Sequence, residues 1–317
     1  MSLNPEEIKK YCKTIMQARR AKGKIVILCE GGKDNIKDDV LKQHPSPSTY
    51  RKLETLPDAN FYTACIPTWW ETGRPEFFVC GDKEDVINSF FTLRNMSENE
   101  AANSYVDKNK VFAIIDLDLQ PAKQLENYPI ADTEQLFNFL YQRNIPQLEN
   151  IKQNRIFITG LIYKEAYFFT PDLQTLFNNY THPILFNEQP IQLNNLYQFM
   201  VNSLATDKNI SANFKIVCNR INYLNELDFA DINALQQSWL NVFNSTNEEQ
   251  KTQLIYALLS IHQVKDYWKA IKSNESEIIE ERFKEQLTLA IGNFYAKLDR
   301  HSEHHLPSFF NALKGVL

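Results

Sequence analysis

Glycine is sparse in this 317-residue chain, with 8 in all. Loop-rich all-β proteins and repeat arrays use glycine freely at their turns, so both classes are set aside. Long apolar runs are also missing. The longest span about five residues, against the ~20 that a membrane-crossing helix needs, and no membrane partner is expected. The first twenty residues are amphipathic and charged, without the apolar core of a secretory leader. The five cysteines (Cys12, Cys29, Cys65, Cys80 and Cys218) are scattered and never form a C-x-x-C pair. That usage predicts buried, reduced thiols in a cytoplasmic protein and gives no zinc site. A general excess of positive charge is absent too. The net charge is -5, so any nucleic acid must be met by a local basic surface.

Apolar residues make up 43% and aromatics 12%, enough to fill one large domain or two ordinary ones. Asn4-Pro5-Glu6-Glu7 reads as a helix start, and Ile8, Cys12, Ile15 and Met16 fall on one face of that helix. Residues 1–24 carry Lys9, Lys10, Lys13, Arg19, Arg20, Lys22 and Lys24 against Glu6 and Glu7, a balance of +5. This is a candidate phosphate-contacting surface, although a charge run is more often a solvated helix face. Apolar strand patterns follow at 24–29, 76–80, 111–115 and 155–159. Helical patterns lie between them at 34–43, 81–93 and 129–144, and an irregular, proline-containing stretch occupies 44–76. Alternating β and α units predict a parallel sheet covered on both faces. After residue 187 amphipathic helical patterns take over at 190–205, 231–244, 248–271 and 275–298. No chemical constellation is visible in that half. The expected division is a basic N-terminal helix (1–23), an α/β domain (24–186, with an insertion at 44–76) and a helical region (187–317).

Two strand ends carry acid. Ile25-Val-Ile-Leu-Cys-Glu30-Gly31-Gly32-Lys33-Asp34 runs from an apolar strand into a glutamate and a glycine turn. Gly31 permits a tight strand-to-helix turn whose backbone N–H groups can hold an anionic oxygen, and Asp34 can cap the helix. The bland alternative is an ordinary βα turn with Glu30 in a salt bridge, and on this segment alone it prevails. Val111-Phe-Ala-Ile-Ile-Asp116-Leu-Asp118 is the second. Residues i and i+2 of an extended chain face the same way, so both carboxylates can point to one side. Acids after a strand are also common in turns. Together the two pieces are more specific, because the carboxyl edge of a parallel sheet is where α/β proteins bind ligands. Carboxylates gathered there suit Mg²⁺ or Mn²⁺, and Glu30 can also serve as a general base or acid.

These residues resemble the TOPRIM fold of topoisomerases, primases and several nucleases. Its signature is Glu-Gly after strand one and Asp-x-Asp after strand three. Glu30-Gly31-Gly32-Lys33-Asp34 is similar to the Glu-Gly-x-x-Asp form of the nuclease branch, and Asp116-Leu117-Asp118 to the acidic pair. Gly81-Asp82-Lys83 resembles the Gly-x-Lys turn of TOPRIM-like proteins encoded beside ABC-type ATPases in phage-defence systems. Tyr163-Lys164-Glu165 is similar to the acidic element after that group's strand four. The resemblance covers about residues 24–170. It departs in the 86-residue separation of Glu30 and Asp116 and in Leu119-Gln120-Pro121, where a glycine is usual. Neither a topoisomerase tyrosine domain nor a primase zinc ribbon is recognisable.

What the resemblance implies is a TOPRIM-like parallel-dominated sheet flanked by helices, and a metal-dependent nuclease acting on DNA or RNA, tRNA included. Glu30, Asp116 and Asp118 would be catalytic and hold Mg²⁺ or Mn²⁺, with Glu165 as an accessory ligand. Gly31, Lys33 and Lys83 would contact phosphate, while Asp34 and Gly81 shape turns. The implied setting is a defence effector with an ABC-type ATPase partner and a homo-oligomeric state. The alternative is a non-catalytic TOPRIM-like scaffold or nucleic-acid-binding subunit.

Three weaker groupings remain. His301-x-x-His304-His305 reads as a solvated connector rather than a metal site. Trp69-Trp70 with Arg74 could stack bases, but packing of the 44–76 insertion on the sheet is the better reading. His262 reads as structural.

Overall fold

The computed structural model describes residues 2–32, 36, 57–120, 132–274 and 279–316. Lys33, Asp34 and the helix expected at 34–43 (apart from Ile36) lie outside the described residues. At the centre is a four-stranded sheet of β1 (Val26–Cys29), β2 (Glu76–Val79), β3 (Val111–Ile115) and β4 (Ile156–Ile158), in the order β2-β1-β3-β4. All three pairings are parallel. Every residue of β1 and β3 is buried, as continuous apolar runs at the centre of a parallel sheet require.

Two layers close over the sheet. On one side α1 (Pro5–Met16) is fixed by a capping box between Asn4 and Glu7. It packs on α3 (Lys83–Asn99), and Tyr11 of α1 donates its hydroxyl to the Val79 carbonyl at 2.6 Å. On the other, the C-terminal helix His305–Lys314 sets Phe309 against Phe157 of β4 (4.5 Å between rings) and Phe310 against Phe77 of β2 (6.3 Å). The helical region therefore supplies one covering layer of the sheet. Ser2–Asp82 and Leu3–Asp85 contacts put the start of α1 near the carboxyl edge, and α1 runs away from it. Two of the basic residues that follow are spent at the opposite edge. Lys24 and Arg20 both pair with Glu76 at the start of β2, and Arg20 stacks over Phe78 at 4.1 Å.

Several expectations need correction. The 44–76 stretch is not irregular throughout: Pro57–Ala64 forms helix α2, and Trp70 is fully buried against Phe310 of the C-terminal helix rather than on the sheet itself, while Trp69 is half-buried. The helix expected over 129–144 is described as α4, Thr133–Leu140. It gives way to a hairpin pairing Tyr141–Gln142 with Ile145–Pro146, turned by Arg143 and Asn144 at φ 50 and 63. Asparagine tolerates that region, which arginine adopts rarely. The 248–271 pattern breaks at His262 into Glu248–Ile261 and Lys265–Ala270. It then enters a strand, Ile271–Ser273, that pairs antiparallel with Ile184–Phe186. Short helices at Lys208–Ala212 and Phe214–Ile221 were not foreseen.

The histidine-rich C-terminal stretch is a solvated connector only in part: His301 is exposed between two helices, whereas His305 is not. His305 is buried, with Nε2 at 2.7 Å from the Asn144 carbonyl and Nδ1 at 3.2 Å from the Tyr167 hydroxyl. Burial pushes its pKa down to about 4, which keeps the ring neutral. His262 is structural as expected, 2.8 Å from Ser203 Oγ. Among the described residues all five cysteines are free, and four are buried. No helix among the described residues is long and apolar enough to cross a membrane.

Candidate functional site

Parallel register sets the carboxylates side by side. Cys29 of β1 pairs with Ile114 of β3, so Glu30 emerges level with Ile115, one residue short of Asp116. From there its side chain reaches across, and Oε1 accepts the backbone N–H of Asp116 at 2.7 Å. On the other flank, Gly31 and Gly81 exchange both backbone hydrogen bonds, at 2.8 and 2.9 Å. The turns after β1 and β2 are thereby stitched together. Gly31 and Gly81 have φ of 122 and 92, which glycine adopts at little cost. A Cβ on Gly81 would also stand 2.4 Å from Asp85 Oδ2.

Asp82 caps α3 by accepting from the Asp85 backbone at 3.1 Å. Lys83 is thus the first helical residue, and its Nζ lies 2.8 Å from Asp118 Oδ2. Asp118 Oδ1 accepts from the Gln120 backbone at 2.8 Å, a local turn that aspartate favours. Thr159, just past β4, accepts the Leu117 N–H at 2.9 Å and donates to the Leu161 carbonyl at 2.7 Å. The Asp116–Asp118 segment is therefore held from both neighbouring strands. Glu165 stands on the 3-10 helix Lys164–Phe169. One of its oxygens is 3.5 Å from Lys164 Nζ, and the other, Oε2, is buried with no hydrogen-bond partner among the described residues.

Burial dominates the electrostatics. It pushes the Glu30 carboxyl up to about 7, against the hydrogen bond from Asp116 and the positive charges of Lys83 and Lys265. Asp116 is raised well above the usual aspartate range, first by burial and then by the negative charges of Glu30 and Glu165. Burial likewise lowers the pKa of the Lys164 ammonium. The Glu30 carboxyl, held this high, accepts a proton near neutral pH, or a cation in its place.

The structure thus brings Glu30, Asp116, Asp118, Glu165, Gly31, Gly81 and Lys83 to one edge. Lys33 and Asp34 belong to the same sequence element but lie outside the described residues. The arrangement differs from a ready-made metal centre in one respect. Among the described residues, no three His, Cys, Asp or Glu side chains are grouped to hold an ion. Asp118 is turned to Lys83, and one Glu30 oxygen is taken by the Asp116 backbone. Lys83 is accordingly paired rather than open to a phosphate.

Two further participants come from the helical half, where the sequence offered no chemistry. Lys265 contributes positive charge to both Glu30 and Asp116, and its Nζ sits 4.1 Å from the Tyr163 ring centroid. Arg220 is buried and donates from Nη2 to the Asp118 carbonyl at 3.0 Å and from Nη1 to the Ser260 carbonyl at 2.7 Å, while pairing with Glu134. Neither residue sits in a motif, so no local pattern could have found them. Thr159 was findable, since it ends the fourth strand at the same edge as Asp116. Comparison of the chain with protein-family models, with curated proteins and with solved structures finds no match.

Proposed function

We propose that the chain is a divalent-metal-dependent nuclease of the TOPRIM type, hydrolysing phosphodiester bonds in DNA or RNA. The observation that carries the reading is the Glu30–Asp116 hydrogen bond. It joins two acidic strand ends at the carboxyl edge of a parallel sheet, in surroundings that raise both carboxyl pKa values. The donor set of Glu30, Asp116, Asp118 and Glu165 is entirely anionic oxygen, which suits Mg²⁺ or Mn²⁺. The partnerless Glu165 Oε2 supports the same fit. When bound, such an ion supplies Lewis-acid polarisation of the scissile phosphate and a water of lowered pKa. The chain's own part is proton transfer at Glu30, whose pKa near 7 matches a general base at neutral pH. Lys265, whose side chain is exposed, meets the anionic substrate, and Lys83 joins it only once its pairing with Asp118 opens. Asp118 would complete that donor set if its pairing with Lys83 opened. The TOPRIM resemblance further favours a cytoplasmic defence effector that self-associates and is controlled by an ABC-type ATPase.

A second reading, a non-catalytic TOPRIM-like scaffold or nucleic-acid-binding subunit, is favoured by the Lys83–Asp118 ion pair, which occupies a carboxylate that a metal would need. Incubation of the full chain with supercoiled DNA and total tRNA, in Mg²⁺, Mn²⁺ and EDTA, decides between them. Nuclease chemistry predicts divalent-dependent cleavage that falls by about 100-fold or more in Glu30→Gln and in Asp116→Asn. Equal cutting by parent and both variants, or by none under any condition, sinks it.

A further inference from the structure

The amino edge of the sheet, opposite the carboxylates, is built of cations. Each strand has one just ahead of it: Arg74 before β2, Lys24 before β1, Lys110 before β3 and Arg155 before β4. In the strand order β2-β1-β3-β4 these four stand side by side. Neighbouring strands lie about 4.8 Å apart, so the row spans about 15 Å. Contacts to the backbone hold it in place. Lys110 Nζ donates to the Gly23 carbonyl at 3.4 Å, and Arg155 Nη1 donates to the Asn109 carbonyl. Glu76 is shared by Lys24 and Arg20, so one carboxylate there meets two cations. Exposed Arg19 and Lys22 add two more charges in the turn that leads into β1. In a chain of net charge -5, a row confined to one edge is a local attraction for a polyanion. We propose that this edge binds single-stranded nucleic acid along its phosphates.

A separate feature selects that ligand. Tyr105, ahead of β3, is 38% exposed. Its backbone N–H donates to the Met16 carbonyl at the end of α1 at 2.8 Å, and Lys22 Nζ lies 5.9 Å from its ring centroid. An exposed ring among cations gives an unpaired base a face to stack on while the cations meet the phosphates beside it. An acidic protein surface would need the cations alone. Lys24 and Glu30 are six residues apart along β1 and its flanks, about 20 Å in an extended chain. The segment held here is therefore remote from the carboxylate edge. The surface extends the nucleic-acid reading without resting on cleavage.

Anisotropy of a labelled oligothymidylate of about 20 nucleotides, longer than one binding site, tests this on the full chain in EDTA over a range of salt. No metal chemistry operates there, so this result and the cleavage result stand or fall separately. Saturable, salt-sensitive binding is expected for the parent. Lys22→Glu combined with Lys110→Glu should weaken it at least tenfold and lower the slope of log affinity against log salt by more than one. Tyr105→Leu should weaken it at least fivefold with the slope unchanged, and Tyr105→Trp should restore it. All variants should keep the parent's circular dichroism. A parent that does not bind at low salt, or a double variant or Tyr105→Leu that binds like the parent, overturns the proposal. So does polyglutamate that displaces the oligonucleotide as well as unlabelled oligothymidylate does, since the edge would then be a site for acidic protein.

Discussion

Arg220, in the helical region, donates to the backbone oxygen of Asp118, 102 residues earlier in the chain, at 3.0 Å. The same guanidinium holds the Ser260 carbonyl and pairs with Glu134. It also lies over the Phe137 ring at 5.6 Å. One buried cation therefore ties the acidic loop to two helices. Arg220→Met would keep the bulk, leave two carbonyls unsatisfied and leave Glu134 unpaired. Losing one partner of a buried pair typically costs about 3–5 kcal/mol, so urea midpoints should fall sharply with an unchanged m-value. A midpoint equal to the parent's would mean that the clamp is inert.

The raised carboxyl of Glu30 makes stability depend on pH in a defined direction. Its folded pKa, about 7, exceeds its usual 4.5. Both states are protonated below about 4.5, and no penalty exists there. As pH rises from about 4.5 to 7 the unfolded chain ionises more readily, so this group destabilises the fold, and the full cost persists above about 7. The total is at most about 3 kcal/mol. Glu30→Gln cannot ionise and should flatten this part of the profile, so that the variant melts above the parent at pH 8 and near it at pH 4.5. Parallel melting curves across that range would remove Glu30 from the account. If the metal reading is right, Mg²⁺ at pH 8 should raise the parent's melting temperature more than the variant's.

Much of this edge was legible because parallel sheets write themselves as unbroken apolar runs. Val111–Ile115 appears with the bounds expected for it, and Glu30 and Asp116 follow from where two such runs stop. Other features were hidden for identifiable reasons. The turn at Arg143–Asn144 interrupts a helical apolar spacing with two residues at positive φ, and arginine announces no such turn. His304 and His305 look solvated in a polar stretch, yet His305 is buried because Asn144 and Tyr167, distant in sequence, satisfy both ring nitrogens. Lys265 and Arg220 act through tertiary placement alone. The pairing of Lys83 with Asp118 was equally invisible, since it depends on how the turns after β2 and β3 approach one another.

Gly81 tests whether the glycine stitch is needed. Two obstacles to a side chain act together there: the φ of 92, and the 2.4 Å that would separate an added Cβ from Asp85 Oδ2. Asp85 is itself buried and accepts the Leu3 N–H at 2.7 Å. Gly81→Ala should therefore lose about 1–3 kcal/mol and loosen the chain's first residues. Hydrogen exchange at the Leu3 amide reads that loosening directly. Unaltered protection there, with unaltered stability, would show that the turn accommodates a side chain freely.

Lys265 offers the sharpest test of whether the helical half takes part in binding nucleic acid. Its side chain is exposed, yet its charge is felt by both Glu30 and Asp116. In the Tyr163 contact the ammonium lies over an aromatic face, an interaction worth only about 0.5–1 kcal/mol at exposed sites. It can leave that face for a phosphate at little cost. Lys265→Met keeps an apolar contact with Tyr163 and deletes the charge. Binding of a labelled oligonucleotide, measured by anisotropy in Ca²⁺ over a range of salt, should weaken similarly for all sequences. The slope of log affinity against log salt should drop by roughly one phosphate contact. Lys265→Arg retains the charge and should restore most of both effects. If Lys265→Met binds with the parent's affinity and salt slope, Lys265 only tunes the carboxylates, and the phosphate contacts come from other cations.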